Sequence, residues 1–381
     1  MEKIYVDHAA TSPMHPEVIK VMTDLMPKFY GNPSSIHHFG REARHIVDQA
    51  RTTAAKSIHA DFTEIIFTSG GTEADNLALI GTATANENRG KHIITTQIEH
   101  HAVLNTCKFL EKNGFEIEYL PVDQYGIVRM EDLKKALRDD TILVSVMFAN
   151  NEVGSIQPIA EIGQLLKNHP AYFHTDAVQA YGVIPINVQE MGIDMLSVSA
   201  HKLNGPKGIG FLYVKNGTKM TPHLYGGEQE RKRRAGTENV PAIAGFAKAI
   251  SESLRTQTEK INRYKQFKAR FIEILTEEAI DFRVHGLAEH TLPHVVNISF
   301  TGINVEQMLV NLDLEGIAAS SGSACTAGSL EPSHVLRAMF GSDSSELYNS
   351  IRFSFGFGNS LEQIETVARK TAKIVKRLTN N

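Results

Sequence analysis

The chain has 381 residues, 42% of them hydrophobic and 22% charged, with a formal net charge of −4. Its length exceeds the roughly 250–300 residues at which one core stops growing, so two domains are expected. The charge gives no reason to expect direct nucleic-acid binding, and no apolar run reaches the roughly 18 residues of a membrane span.

Residues 1–16 read as a short extended arm, and helical periodicity follows at 17–26 and 41–57. In the second helix Ala43, Ile46, Val47, Ala50 and Ala54 share one face. Between the two lies a loop, Gly31-Asn32-Pro33-Ser34-Ser35. Strands then alternate with helices: 64–68 and 72–85, 92–96 and 103–112, 116–120 and 131–137, 142–148 and 159–167. Strands 172–175, 195–198 and 210–214 follow. This alternation predicts an α/β protein whose mostly parallel sheet carries helices on both faces. Residues 240–278 read as helix with few breaks, a bridge to a smaller α/β domain. That domain has strands at 295–300, 317–319 and 350–354 and helices at 305–312, 332–339 and 361–378. We expect a large domain over 15–255, with 1–14 and 256–381 forming the small one.

The N-terminus lacks the apolar segment of a signal peptide. The two cysteines, Cys107 and Cys325, have no paired metal spacing, which fits a reducing, cytoplasmic compartment and no structural metal.

Ligands in α/β sheets sit at the open strand ends, and polar residues collect there in this chain. Lys202 follows strand 195–198; a desolvated lysine can form a Schiff base with a carbonyl. Ser69-Gly70-Gly71-Thr72 opens a helix whose free N–H groups suit an anion, although Thr72 as a plain helix cap explains it equally. His100 could stack on a planar ligand or simply start a helix. Asn150-Asn151-Glu152 could orient a ligand or make a turn, and Asp176 could protonate a ring nitrogen or cap a helix. Five such positions on one edge are better explained by one site. A lysine, an acid and a phosphate cradle together suit pyridoxal phosphate.

Two further stretches stand out. Residues 229–234 form a charge run, by default a solvated loop. In 319–329 ten of eleven residues are Ala, Ser, Gly or Thr and the other is Cys325, which suggests a thiol on a mobile, exposed tract. Cys107, inside a helix, reads as packing. Arg352 could grip a carboxylate or form a surface ion pair.

These motifs, from Tyr5-Val6-Asp7-His8 through Ser199-Ala200-His201-Lys202 and Ala235-Gly236-Thr237 to Ser321-Gly322-Ser323-Ala324-Cys325-Thr326, resemble the cysteine desulfurases of the NifS/IscS group. That group lies within the fold-type I, class V aminotransferase-like pyridoxal-phosphate enzymes. The resemblance implies a homodimer that converts L-cysteine to L-alanine. Lys202 would hold the cofactor and later take the substrate's Cα proton. Asp176 would pair with the pyridine nitrogen, Gln179 with the phenolic oxygen, and His100 would stack on the ring and move protons. Gly71, Thr72, Ser199, His201 and, across the dimer interface, Thr237 would hold the phosphate. Asn151 would lie beside cofactor and substrate, and Arg352 would take the substrate carboxylate.

Cys325, on a loop at about 320–331, would receive the sulfur as a persulfide and is a candidate transient iron–sulfur ligand. The acceptor implied is a protein, either a tRNA-thiolating enzyme or an iron–sulfur scaffold. The chain ends soon after 361–378, without the long tail that docks such a scaffold, and the 227–234 run favours the tRNA-thiolating partner. Relatives often carry a second arginine after Arg-Phe-Ser, where this chain has Phe355-Gly356-Phe357-Gly358. The rival readings are a selenocysteine lyase, another enzyme of the same fold, and an inert sulfur carrier.

Overall fold

A computed structural model describes residues 3–322 and 332–379. Cys325 and most of the expected cysteine loop lie outside the described residues.

The chain begins with β1 (Ile4–Tyr5), α1 (Pro16–Leu25) and α2 (His38–Lys56). The α/β alternation follows as β2 (Ile65–Thr68), α3 (Gly71–Asn86), β3 (His92–Thr96), α4 (His101–Lys112), β4 (Glu116–Leu120), α5 (Met130–Ala136), β5 (Thr141–Ser145) and α6 (Ile159–Leu166). Next come β6 (Tyr172–Asp176), β7 (Met195–Ser199), β8 (Gly210–Val214), α7 (Val240–Arg255) and α8 (Gln257–Glu277). The C-terminal part holds β9 (Phe282–Val284), β10 (Val295–Phe300), α9 (Val305–Leu314), β11 (Ile317–Ala318), α10 (His334–Phe340), α11 (Glu346–Asn349), β12 (Ser350–Ser354) and α12 (Leu361–Thr379).

Seven strands form the main sheet in the order β2-β8-β7-β6-β5-β3-β4. Only β8 is reversed; it pairs antiparallel with both β2 and β7, and every other pair is parallel. Strands such as β5, Thr-Ile-Leu-Val-Ser, are buried along their whole length because helices cover both faces of the sheet. On one face Ala43, Val47, Ala50 and Ala54 of α2 pack with Phe67, Phe173, Phe211 and Phe246. On the other, Leu77 and Ala78 of α3 and Val103 and Cys107 of α4 meet Ile93, Leu143 and Leu212. A separate core joins Phe271 of α8 and Val367 and Ile374 of α12 to Ile298, Phe300 and Phe353.

The N-terminal arm belongs to this second core. Ile4 and Tyr5 pair with Ile317 and Ala318, and Asp7 bridges Ser354. It then crosses to the main sheet, where Ser12 N–H donates to the His201 carbonyl at 3.0 Å.

Three local expectations change. The regular strand expected over 142–148 ends at Ser145, while Val146 N–H and Phe148 N–H still donate to the His174 and Asp176 carbonyls of β6 at 3.1 and 2.8 Å. The long helix over 240–278 breaks at Thr256 (φ −104°, ψ 7°), which ends α7. Strand β9 and helix α11, three and four residues long, are too short to show periodicity in sequence.

Candidate active site

The parallel strands all end on one edge, and a cavity of about 330 Å³ opens there. Ten of the twelve residues singled out from sequence line it: Gly71, Thr72, His100, Asn151, Asp176, Gln179, Ser199, His201, Lys202 and Arg352. Cys325 lies outside the described residues, and Thr237 is exposed away from this wall.

Lys202 ends a single 3₁₀ turn, Ala200–Lys202, directly after β7. Its Nζ donates to the Ala9 and Ala10 carbonyls at 2.5 and 2.8 Å, so the N-terminal arm forms the wall behind it. Asp176 ends β6 and is not a helix cap. Its Oδ1 accepts from Val178 N–H at 2.9 Å, and burial raises its pKa to about 6. Gln179 Nε2 donates to the Ala9 carbonyl at 2.9 Å, leaving its second N–H for a ligand.

The helix α3 starts two residues earlier than a Thr72 cap requires. Gly70 is the N-cap, and Gly71 and Thr72 are the first helical residues, so their N–H groups face the cavity end of the dipole. A Cβ on Gly71 would meet Val178 Cγ2 at 2.8 Å and Ser199 Cβ at 3.6 Å. A side chain at Gly71 therefore does not fit unless Val178 shifts. His201 Nδ1 lies 3.1 Å from Thr11 Oγ1, and burial, then the charge of Lys202, lowers its pKa to about 4.

His100 starts a helix, one of the two readings the sequence allowed. It caps α4, with Nδ1 accepting from Ala102 N–H at 3.1 Å, and its ring lines the cavity. Burial, then the charges of Lys202, His101 and His334, lowers its pKa to about 4, so it is neutral at pH 7. The two asparagines divide the work: Asn150 Oδ1 accepts from Glu152 N–H and Val153 N–H at 2.9 Å each and makes the turn, while Asn151 lines the cavity.

Arg352 is 2% exposed, which overturns the surface ion pair. Its Nη1 donates to the Asn151 carbonyl at 2.8 Å and its Nη2 to Asp7 Oδ1 at 2.7 Å. The charge run 229–234 is likewise not simply a solvated loop. Glu230 is buried and takes both Nη atoms of Arg51 at 2.6 and 2.8 Å, and Arg234 Nε donates to Glu73 Oε1 at 2.8 Å.

Sequence reasoning missed Asp75 and Asp7. Asp75 lies one helical turn after Gly71 and lines the cavity. Burial, then the neighbouring Asp176, raises its pKa well above the carboxylate range. His174 Nε2 stands 3.6 Å from Asp75 Oδ1, but burial lowers the histidine to about 3, so the ring is neutral at pH 7 and no ion pair forms. Asp7 lies inside a motif already noted and Asp75 three residues beyond another, and only tertiary contact distinguishes them from solvated acids.

The aminotransferase class-V family model matches residues 4–367. A putative cysteine desulfurase, IscS 1 of Bacillus subtilis, is 61% identical over 379 residues, covering 100% of both chains. The cysteine desulfurase IscS of Dictyoglomus turgidum is 49% identical over 377 residues, covering 99% of this chain and 95% of the relative. Among solved structures, a NifS-like protein superposes with a TM-score of 0.92 at 36% identity, covering 99% of this chain and 100% of the other. SspA in complex with cysteine gives 0.81 at 34% identity, covering 93% and 99%. A full-length match at such identity, on a cavity that joins lysine, buried acid and anion cradle, places the chain in the class-V aminotransferase family, among its pyridoxal-phosphate-dependent cysteine desulfurases.

Proposed function

We propose that this cavity removes sulfur from L-cysteine and passes it to Cys325. The observation that carries the assignment of roles is the convergence of Lys202, Asp176 and the Gly71 cradle on one cavity. Gly71, Thr72, Ser199 and His201 hold the cofactor phosphate, and Asp176 and Gln179 hold the ring. Lys202 holds the carbonyl carbon and then serves as base toward the substrate Cα. Bound there, pyridoxal phosphate supplies an electron sink for cleavage at the substrate carbon. His100, neutral at pH 7, stacks on the ring and moves a proton through Nε2, since Nδ1 accepts from Ala102 N–H. Arg352 and Asn151 orient the substrate carboxylate. The Arg352 guanidinium already bridges Asp7 and the Asn151 carbonyl, so its plane is set before substrate arrives.

The Cys325 thiolate attacks the substrate sulfur. One S–S bond forms, the Cβ–S bond breaks, and the freed carbon takes a proton. The sum is thiol plus cysteine giving persulfide plus alanine. Gly322 lines the cavity, so the cysteine tract leaves directly from its wall. Cys325→Ser is expected to keep the yellow cofactor and lose persulfide and alanine formation, whereas Lys202→Ala loses the colour. Full alanine production by Cys325→Ser refutes the assignment, and equal turnover of selenocysteine alone would favour a lyase.

The active form we propose is a homodimer in the cytoplasm. Tyr30, Ile36 and Tyr225 are 73%, 91% and 81% exposed, and Tyr225 sits on the segment leading to Thr237. A second copy would cover such a surface and bring Thr237 to the partner's phosphate. Sedimentation of a monomer that binds cofactor normally would refute this. Among the described residues, no helix is long and apolar enough to cross a membrane. The sulfur acceptor is a protein of tRNA thiolation or iron–sulfur assembly. The resemblance of the 227–234 run favours the tRNA-thiolating acceptor, and relay of labelled sulfur to each acceptor tests that choice. The separate core of Phe271, Ile298 and Val367 supports a small domain of 1–14 with 256–381 beside a large one at 15–255, with α10 packed across on Ile98, Met147 and Val153; limited proteolysis that never cuts between α7 and α8 would count against that division.

A further inference from the structure

We propose that Glu152 is a positioning residue: its carboxylate fastens both flanks of the tract that carries Cys325. The inference rests on the proposed role of Cys325.

Glu152 is 2% exposed, so it is not a solubilising surface acid. Its backbone is fixed from two sides. Its N–H donates to Asn150 Oδ1 at 2.9 Å, and its carbonyl accepts from Asn297 Nδ2 at 3.2 Å. The carboxylate is thereby aimed at two chain segments far apart in sequence.

The downstream flank is Ser333, whose hydroxyl donates to Glu152 Oε2 at 2.5 Å. The same oxygen caps α10 by accepting from Leu336 N–H at 3.1 Å, so its proton is committed to the carboxylate. Beyond it, Val335, Leu336 and Met339 pack with Ile98, Met147 and Val153. His334 Nε2 lies 2.9 Å from the Glu99 carbonyl. This flank is held to the main sheet.

The upstream flank is Gly322, with φ +92°. A Cβ there would stand 3.0 Å from Glu152 Oε2, so the carboxylate packs directly on the glycine. Gly322 N–H donates to Ser320 Oγ at 3.2 Å, and Ser320 exchanges backbone hydrogen bonds with Arg352 at 3.2 and 2.6 Å. This flank is held to β12.

One carboxylate thus meets the chain where the tract departs and where it returns. Its neighbour Asn151 lines the cavity and accepts from Arg352 Nη1. The anchor of the tract and the proposed carboxylate grip share one turn. A tethered group reacts at an effective concentration set by where its ends are fixed. Loosening Glu152 therefore acts on delivery of the thiol, not on binding of the amino acid.

The test uses holoenzyme carrying Glu152→Ala, Glu152→Gln or Ser333→Ala. One readout is the absorbance titration of the cofactor with L-cysteine. The other is single-turnover persulfide on the Cys325 peptide, with buried Cys107 as the internal control. Glu152→Ala is expected to leave the titration within about twofold and to slow persulfide formation about 10- to 100-fold. Glu152→Gln keeps an oxygen for Ser333 and recovers most of the rate. A wild-type persulfide rate in Glu152→Ala overturns the proposal. So does a parallel loss of both readouts with Glu152→Gln no better than Glu152→Ala. If Glu152→Ala does not fold, Ser333→Ala decides, and an unchanged rate there overturns it. Alanine formation by Cys325→Ser at the wild-type single-turnover rate would instead overturn the role of Cys325.

Discussion

Glu230→Ala tests the reasoning about the 229–234 segment most directly. Arg51, on α2, is 2% exposed and gives Nη1 to Glu230 Oε2 at 2.6 Å and to the Ile65 carbonyl at 2.7 Å. Its Nη2 meets Glu230 Oε1 at 2.8 Å, and its guanidinium carbon sits 4.8 Å from the Phe67 ring centroid. Glu230 Oε2 also accepts from Phe67 N–H at 3.0 Å. Removing the carboxylate leaves a buried cation and a buried N–H without their acceptor. Breaking such a pair from one side costs roughly 3–5 kcal/mol. At roughly 2.1 cal/mol/K of unfolding entropy per residue, a chain of 381 residues converts this to about 4–6 °C of melting temperature.

The same pair holds Glu230, Arg231 and Lys232 at φ of 46°, 57° and 65°. Left-handed conformations of this kind are strained, and relaxation of some of that strain offsets part of the loss. The lower end, a fall of about 4 °C, is therefore expected. Differential scanning calorimetry of the holoenzyme measures it. The double variant Arg51→Met, Glu230→Met is expected to regain part of the loss, because no unpaired charge remains. A shift below about 1 °C in Glu230→Ala would refute the argument that this pair organises the segment.

Stability against pH carries two opposite signatures. His174 is lowered to about 3 by burial, so its contribution is full above the unfolded value near 6.5 and is lost as pH falls toward 3. In His174→Gln, denaturation titrations are expected to lose part of the acid slope; an unchanged slope contradicts the assignment. Glu99 is raised to about 8 by burial, so its contribution is full below about 4.5 and is lost as pH rises through 8. Glu99→Gln is expected to flatten that alkaline fall, which reaches at most about 1.4 kcal/mol per pH unit. Gly71→Ala places a methyl 2.8 Å from Val178 Cγ2 at the cradle and is expected to weaken cofactor binding at least about tenfold, read by absorbance titration. Wild-type affinity would show that the phosphate binds elsewhere.

Much of the architecture was legible because its signals are local. Buried runs such as Thr-Ile-Leu-Val-Ser and the one-face pattern of α2 depend only on residues within a few positions of each other. Strand ends follow from them, and with the strand ends came Lys202, Asp176, His100 and Asn151 as candidates at one edge. What the sequence could not assign was the partner of each polar side chain. Arg352 read equally as a surface ion pair or a carboxylate grip, and its burial against Asp7 and Asn151 removed the surface reading. Glu230 read as part of a solvated charge run until Arg51, 179 positions earlier, took its carboxylate. Glu152 read as turn chemistry, yet it meets Ser333 across 181 positions. Periodicity records which face of an element is apolar, and it carries no information about which distant residue that element will meet. A polar group's work depends on that meeting, since the loss of water on burial raises the stakes of every charge and hydrogen bond around it. The amino-acid order therefore determined the sheet, its helices and the edge where chemistry gathers, while long-range packing decided which acids and cations there are paired, neutral or charged.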